Sequence, residues 1–439
     1  MNFQKNDTGR EPSPGSFSRR GARPVIWLMA LAATIFGVGH WAHRTSEAKP
    51  AARAVTYSKD VAPIFFKSCA ECHRQGEIGP FSVMSYREVR PWAKSIRSSI
   101  VSREMPPWHA DPNHGDWINN RRLSEKEIET IVAWVDGGAK EGSPKDLPPA
   151  PTYVAGWNIG LPDETFSIPE QIVPATGVVP YKYLLVDTNF REDHWITAAE
   201  IRSSGRAALH HVIVYIVDPK NPSRTEGNLL AGYAPGEQPS VMREGMAKKV
   251  PAGAKLRFQM HYTPNGAETK DVTTIGLKYA KEPPRHPLST RPVLNTGFRI
   301  PPGVDSHEVK SFYTFREDAH IVSLMPHMHL RGKDFVIKAI APDGSERILL
   351  QVPRYDFNWQ TYYVPREPIA IPKGTKIECV AHFDNSKGNR FNPDPSIEVR
   401  WGEQTWEEMM IGWLTYYFDQ PAPSGPVTTT GGAGGKGEE

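Results

Sequence analysis

The feature that most constrains this chain is its punctuation. From about residue 150 to Gln420, Pro, Gly, Asn and Asp cut the sequence into short β-branched and aromatic runs. Examples are Tyr183–Val186, Val212–Val217, Lys255–Tyr262, Ile275–Tyr279, Phe335–Ala341 and Lys376–His382. No long helical period crosses this region, which predicts antiparallel β-sandwiches. Roughly 270 residues are too many for one sandwich of ~100 residues. A boundary near Pro283-Pro284 therefore divides the region into 150–290 and 291–420.

Hydrophobic residues at 39% and charged residues at 23% describe a globular chain. A net charge of +3 offers no basic excess for a nucleic-acid backbone, so no nucleic-acid partner is expected. Three cysteines, at 69, 72 and 379, rule out a disulfide-built scaffold.

The N-terminus reads as an address. Residues 1–24 form a basic leader with Arg19, Arg20 and Arg23 before an apolar run. Residues 25–44 form a membrane segment, either a signal anchor or a cleaved signal peptide. A polar linker follows at 45–54. The expected location is the bacterial periplasm, anchored to the inner membrane through 25–44, or outside the cell after cleavage. The Pro/Gly/Thr-rich segment 421–439 reads as a disordered tail.

Cys69-Ala70-Glu71-Cys72-His73 carries two thiols spaced to add to the vinyl groups of haem, with a histidine placed beneath the iron. The flanks are helical. Val61, Ile64 and Phe65 share a face before the motif. After it, Ser124 and Glu127 form a capping box ahead of Ile128, Ile131, Val132 and Val135, and Gly137-Gly138 ends that helix. Residues 55–145 thus resemble a small α-helical cytochrome c domain. Met105, stiffened by Pro106 and Pro107, is the expected sixth haem ligand; Met84, His109 and His114 are alternatives.

Two histidine clusters lie in the β region. His210-His211 and His261 form the first. Adjacent strand residues point to opposite faces, so both could reach one metal only through a bulge or different ring nitrogens. His261 lies on the strand face opposite Leu256, Phe258 and Met260. The second cluster is His327 and His329, which share a strand face at i, i+2. Downstream, Trp406-Glu407-Glu408-Met409-Met410 opens a run to Tyr417. A thioether beside imidazoles selects copper.

In this order, H-H, H, H-x-H and E-E-M-M with Tyr416-Tyr417 resemble the type II copper, ascorbate-dependent monooxygenases related to peptidylglycine α-hydroxylating monooxygenase and dopamine β-hydroxylase. The resemblance spans about 155–420. It implies two jelly-roll sandwiches facing each other across a solvated cleft and two copper ions. One copper, for electron transfer, would be held by His210, His211 and His261. The other, for O2 and catalysis, would be held by His327, His329 and Met409, with Met325 and Met410 as alternative thioethers. The implied reaction hydroxylates a C–H bond with O2 and two external electrons.

The chain departs from that family. Cys379 has no partner and reads as a buried free thiol. Met325, Ile411 and Trp413 replace the family's peptide-holding arginine, asparagine and tyrosine, which points to a less polar organic substrate. His194, His286, His307, His320 and His382 read as structural or surface groups. A fused c-type haem would deliver single electrons from a membrane or periplasmic donor at high effective concentration. The competing reading is a non-catalytic haem/copper electron-transfer or copper-binding protein. A blue-copper reductase lacks its ligand set here.

Overall fold

The computed structural model describes residues 54–75, 77–153, 156–222, 228–234 and 237–419. The leader, the apolar segment 25–44, nearly all of the linker and the tail lie outside these residues. Among the described residues, no helix is long and apolar enough to cross a membrane.

The protein is mainly β, with a short helical portion first. That portion is helical from Tyr57 to Ser68, over Ala93–Val101 and over Glu125–Asp136. The last helix starts where its sequence dictates. The Ser124 side chain accepts from the Glu127 amide, and Glu127 reaches back to the Ser124 amide. Val61, Ile64, Phe65, Ile128, Ile131 and Trp134 bury one common face. Trp134 closes this core by donating its indole N–H to the Lys140 carbonyl at 2.9 Å.

The strands build two lobes. In the first, a sheet of Lys182–Asp187, Lys255–Tyr262, Leu209–Val217 and Leu229–Tyr233 faces strands Glu164–Ser167, Thr273–Tyr279, His194–Ser203 and Met246–Val250. Val212, Val214, Leu256, Phe258 and Met260 meet Ile196, Ile201, Ile275 and Leu277 in the core between. The second lobe pairs a sheet of His307–Thr314, Lys376–Phe383, Gly332–Ile340 and Glu346–Val352 with strands His286–Leu294, Ile411–Phe418, Ala319–His327 and Ile369–Ile371. Cys379 is a free, fully buried thiol in that core, and a Cβ at Gly412 would collide with its sulfur.

One sheet of nine strands runs through both lobes. The join is a parallel ladder, His286 to Met246, Pro287 to Ala247 and Leu288 to Lys248. The same strand then pairs antiparallel with Ile411–Phe418. The division drawn at 290/291 thus falls inside a strand that serves both lobes.

The segment after Met105 leaves the helical portion. Trp108, Ala110 and Trp117 enter the core of the second lobe. Trp108 and Trp117 both lie edge-on to Tyr363, with ring centroids 5.0 and 5.5 Å away. The Ile118 amide donates to the Val364 carbonyl at 3.0 Å, and Asn119 donates to the Tyr362 carbonyl at 2.6 Å. Trp117→Ala is expected to cost ~3–5 kcal/mol. Tryptic cleavage at Arg121-Arg122 should then accelerate by about two orders of magnitude; unchanged cleavage would mean that other contacts hold the segment.

Candidate metal centres

The first histidine cluster is assembled by a break in the ladder. His211 pairs with His261 and Leu209 with Tyr262, and the register slips between them, leaving His210 as the extra residue of a bulge. The bulge brings neighbouring histidines to one side. Their Nδ1 atoms lie 3.1 Å apart, and the His261 Nδ1 is 3.4 Å from that of His211. The ligand atoms of all three lie within 4.8 Å of one another. Metal–nitrogen bonds of about 2.0 Å would set nitrogens about 2.8 Å apart at right angles and about 3.3 Å apart in a tetrahedron. The observed spacing fits one shared ion. Among the described residues no carboxylate joins this group, a donor set that suits copper or zinc better than calcium or magnesium.

His261 does lie away from the apolar core face, yet it is only 8% exposed. The reason is tertiary. Tyr181 packs edge-on at 4.6 Å, and Phe357 of the second lobe lies over the cluster. Phe357 stacks on His210 with centroids 5.1 Å apart and an interplanar angle of 15°.

His327 and His329 lie on the second lobe with rings 5.3 Å apart and perpendicular. Their Nδ1 atoms are engaged: His327 with the Gln360 side-chain oxygen at 2.8 Å, His329 with the Glu407 carbonyl at 3.2 Å. As donors to those oxygens, both rings keep Nε2 as the lone-pair atom. The His329 Nε2 is buried with no hydrogen-bond partner. Beneath it, the fully buried Glu408 accepts from the amides of His329 at 2.8 Å and Arg331 at 2.6 Å. Arg331, also fully buried, is held by Asn385 at 2.9 Å and the Trp406 carbonyl at 2.9 Å.

Met409 precedes the last strand instead of starting it, since that strand is Ile411–Phe418. His327 pairs with Ile411 and Met325 with Trp413. Neither His329 nor Met409 lies within that ladder; Met409 packs with Met325, Ile411 and Trp413. The alternative Met410 belongs elsewhere: it is fully buried in the second core, where its sulfur accepts from the Ser311 hydroxyl at 3.2 Å. Met325, Ile411 and Trp413 do share a face with Met409, but that face is covered. Tyr215 and Leu229 of the first lobe complete one apolar cluster with them. Phe357, with centroids 5.8 Å from His329 and 6.3 Å from His261, fills the space between the histidine sets. The solvated cleft implied by the resemblance is therefore closed in this structure.

At the Cys-x-x-Cys-His segment, Cys69 and Cys72 are free thiols. Burial pushes Cys69 up to about 12 and raises Cys72 as well. That is the opposite of an activated redox dithiol. His73 Nδ1 is 3.2 Å from the Phe81 carbonyl, which leaves Nε2 free as an axial ligand. A Cβ at residue 79 would stand 2.7 Å from the His73 ring, so Gly79 lets the chain close over it. These residues fit covalent haem. Met84 packs on the helical core, and the Met105 amide donates to the Ser99 carbonyl at 3.1 Å. His109 and His114 belong to the segment that leaves for the second lobe.

Four of the other histidines lie against residues outside these sets. His382 meets Asp334 at 2.7 Å, His320 meets Asp419 at 3.1 Å, and His194 and His286 pack on Tyr279 and Tyr417. Sequence reasoning missed Tyr181, Phe357 and Gln360, which no spacing connects to the histidines. Glu408 sat within the quoted motif, but nothing in its spacing marked it as a buried acid.

No protein-family model matches the chain, and no curated protein matches it. Among solved structures it is similar to the major capsid protein P2 of bacteriophage PM2, at 10% identity over 59% of this chain and 98% of that one, with a TM-score of 0.29. It is also similar to allantoicase from Saccharomyces cerevisiae, at 9% identity over 57% and 81%, with a TM-score of 0.18. For Bacillus subtilis oxalate decarboxylase the values are 9%, 55% and 70%, and 0.13. Likenesses this slight carry no information about what the chain does.

Burial holds these imidazoles uncharged. It lowers His261 to about 3 and His327 to about 4. His211 and His329 fall well below the usual range, pushed by burial and then by the neighbouring imidazoles. In the unfolded chain they protonate near 6.5. Their contribution to stability is therefore complete above about pH 6.5 and is lost as pH falls towards 4. Urea unfolding of chelator-treated protein should show stability falling as pH drops from 7 to 5. A flat profile would mean that the histidines open to water without unfolding.

Proposed function

We propose that the chain is an exported copper-dependent monooxygenase that hydroxylates a C–H bond of an apolar organic substrate, with electrons supplied through a covalently bound c-type haem. Two jelly-roll sandwiches would carry one copper ion each, and the helical portion would carry the haem. The observation that carries the reading is the pairing of two unlike sites across one interface. One is a triangle of Nδ1 atoms. The other is a pair of imidazoles oriented through Nδ1, for which Met409, packed with Met325, Ile411 and Trp413, would be the thioether.

Copper would supply one-electron chemistry and activation of O2, and haem would supply electrons singly. The rest is the work of the chain. Gln360 and the Glu407 carbonyl fix the tautomers of His327 and His329. Glu408 holds the backbone of His329 from below. Phe357 and the Tyr215–Trp413 cluster keep water from both histidine sets. Met325, Ile411 and Trp413 would meet an apolar substrate once Tyr215 and Leu229 withdraw.

The covered apolar face also favours a second reading, a non-catalytic haem/copper electron carrier, in which no substrate needs access. O2 uptake linked to product separates the two. Protein purified with haem is expected to bind two copper ions per iron. His211→Ala should lose one copper, His329→Ala should lose the other, and Met409→Ile should weaken only the second. Atomic absorption together with Cu(II) electron paramagnetic resonance reads all three. Iron without copper after copper supply would overturn the monooxygenase and the carrier readings alike.

A further inference from the structure

The Cys-x-x-Cys-His segment touches the first lobe at one defined place. After His73 the chain folds back, with the Gly79 amide on the Cys72 carbonyl at 2.8 Å and the Glu77 amide on the Arg74 carbonyl at 3.1 Å. Glu77 then holds two arginines: Arg74 of its own segment at 2.9 Å, and Arg206 of the first lobe at 2.8 Å. Arg206 also donates to the Tyr233 hydroxyl at 3.0 Å, and its guanidinium carbon lies 5.4 Å from that ring's centroid. Both ends lead to the first histidine cluster. Arg206 lies in the turn that opens the strand of His210 and His211, and the Leu209 amide donates to its carbonyl at 3.3 Å. Tyr233 is paired with Val212, the residue after His211. The second lobe is met differently, by the 106–119 segment, which lies remote in sequence from the two thiols.

We propose that the Glu77–Arg206–Tyr233 contact is the port through which an electron passes from a haem held at Cys69, Cys72 and His73 to a copper ion held at His210, His211 and His261. The inference rests on the proposed function and adds the route and the acceptor. The transfer balances as one electron: ferrous haem becomes ferric and Cu(II) becomes Cu(I), with no atom moved. An external one-electron donor, such as a reduced cytochrome or ascorbate, resets the iron. A half-buried ion pair open to solvent on one side adds modestly to stability. Its value is to hold the haem segment and the histidine strand in one register, so that transfer needs no diffusional encounter. Glu77, Arg206 and Tyr233 are positioning residues, and none of them is a metal ligand here.

The test uses the full chain with haem and copper loaded and quantified, under argon. A photoreduced flavin injects one electron into the ferric haem. Decay of the ferrous α-band is followed beside loss of the Cu(II) resonance. In the unaltered protein the two should proceed together. Arg206→Glu should slow the decay by about tenfold or more through like-charge contact with Glu77, without change in metal content. The exchange Glu77→Arg with Arg206→Glu should recover most of the rate. Tyr233→Phe keeps the ring and removes the acceptor, and should slow transfer even if the charge variants fail to accumulate. His211→Ala should abolish the decay, and His329→Ala should leave it intact. Decay unchanged in Arg206→Glu and Tyr233→Phe, or surviving in His211→Ala, overturns the port. Full metal content without haem reoxidation in the unaltered protein overturns this inference alone. Absence of haem or copper overturns the proposed function itself.

Discussion

The stacking of Phe357 on His210 is the contact on which the centre of this molecule depends. It is a contact between lobes: the histidines come from the first, the phenylalanine from the second. One loop, residues 353–368, delivers it. That loop also supplies Gln360 to His327 and Tyr363 to the tryptophans of the 106–119 segment. A single stretch without regular structure therefore joins the helical portion, the first histidine set and the second. Its rigidity comes from what it touches, because loops of this length are seldom ordered without such anchors. The geometry of both histidine sets follows from that anchoring.

The fold was legible where the local rule and the tertiary outcome agree. Lys255–Tyr262 was delimited by alternation alone, and Glu125–Asp136 by a capping box and two glycines. The histidine set 210, 211 and 261 was legible as a set; strand geometry left a bulge or different ring nitrogens as its two solutions, and the ladder shows the bulge. What alternation could not supply was cover. His261 was placed on the polar face, and it is buried there because another lobe closes over that face. The same applies to Met325, Ile411 and Trp413. Their shared face could be read from parity, but not its occupation by Tyr215 and Leu229. Phe357 and Gln360 reach the site from a loop whose spacing carries no period, so no pattern could find them.

A chemical economy is visible in how the two centres are neutralised. Beside the second set, Glu408 and Arg331 are buried together: Glu408 takes two backbone amides, and Arg331 is held by Asn385 and the Trp406 carbonyl. The imidazoles are kept uncharged by burial and by one another. Neutral imidazole is the form that binds a metal, so folding prepares the ligands by excluding the proton.

The nine-stranded sheet has a mechanical consequence. Along the three residue pairs from His286–Met246 to Leu288–Lys248, the lobes share backbone hydrogen bonds, and these cannot part without breaking the sheet. Elsewhere they meet through side chains, at Phe357, at the Tyr215–Trp413 cluster and at the Tyr183–Glu403 hydrogen bond. The molecule is thus built like a bound book. Its spine is the shared strand, and only side chains hold the fore-edge together.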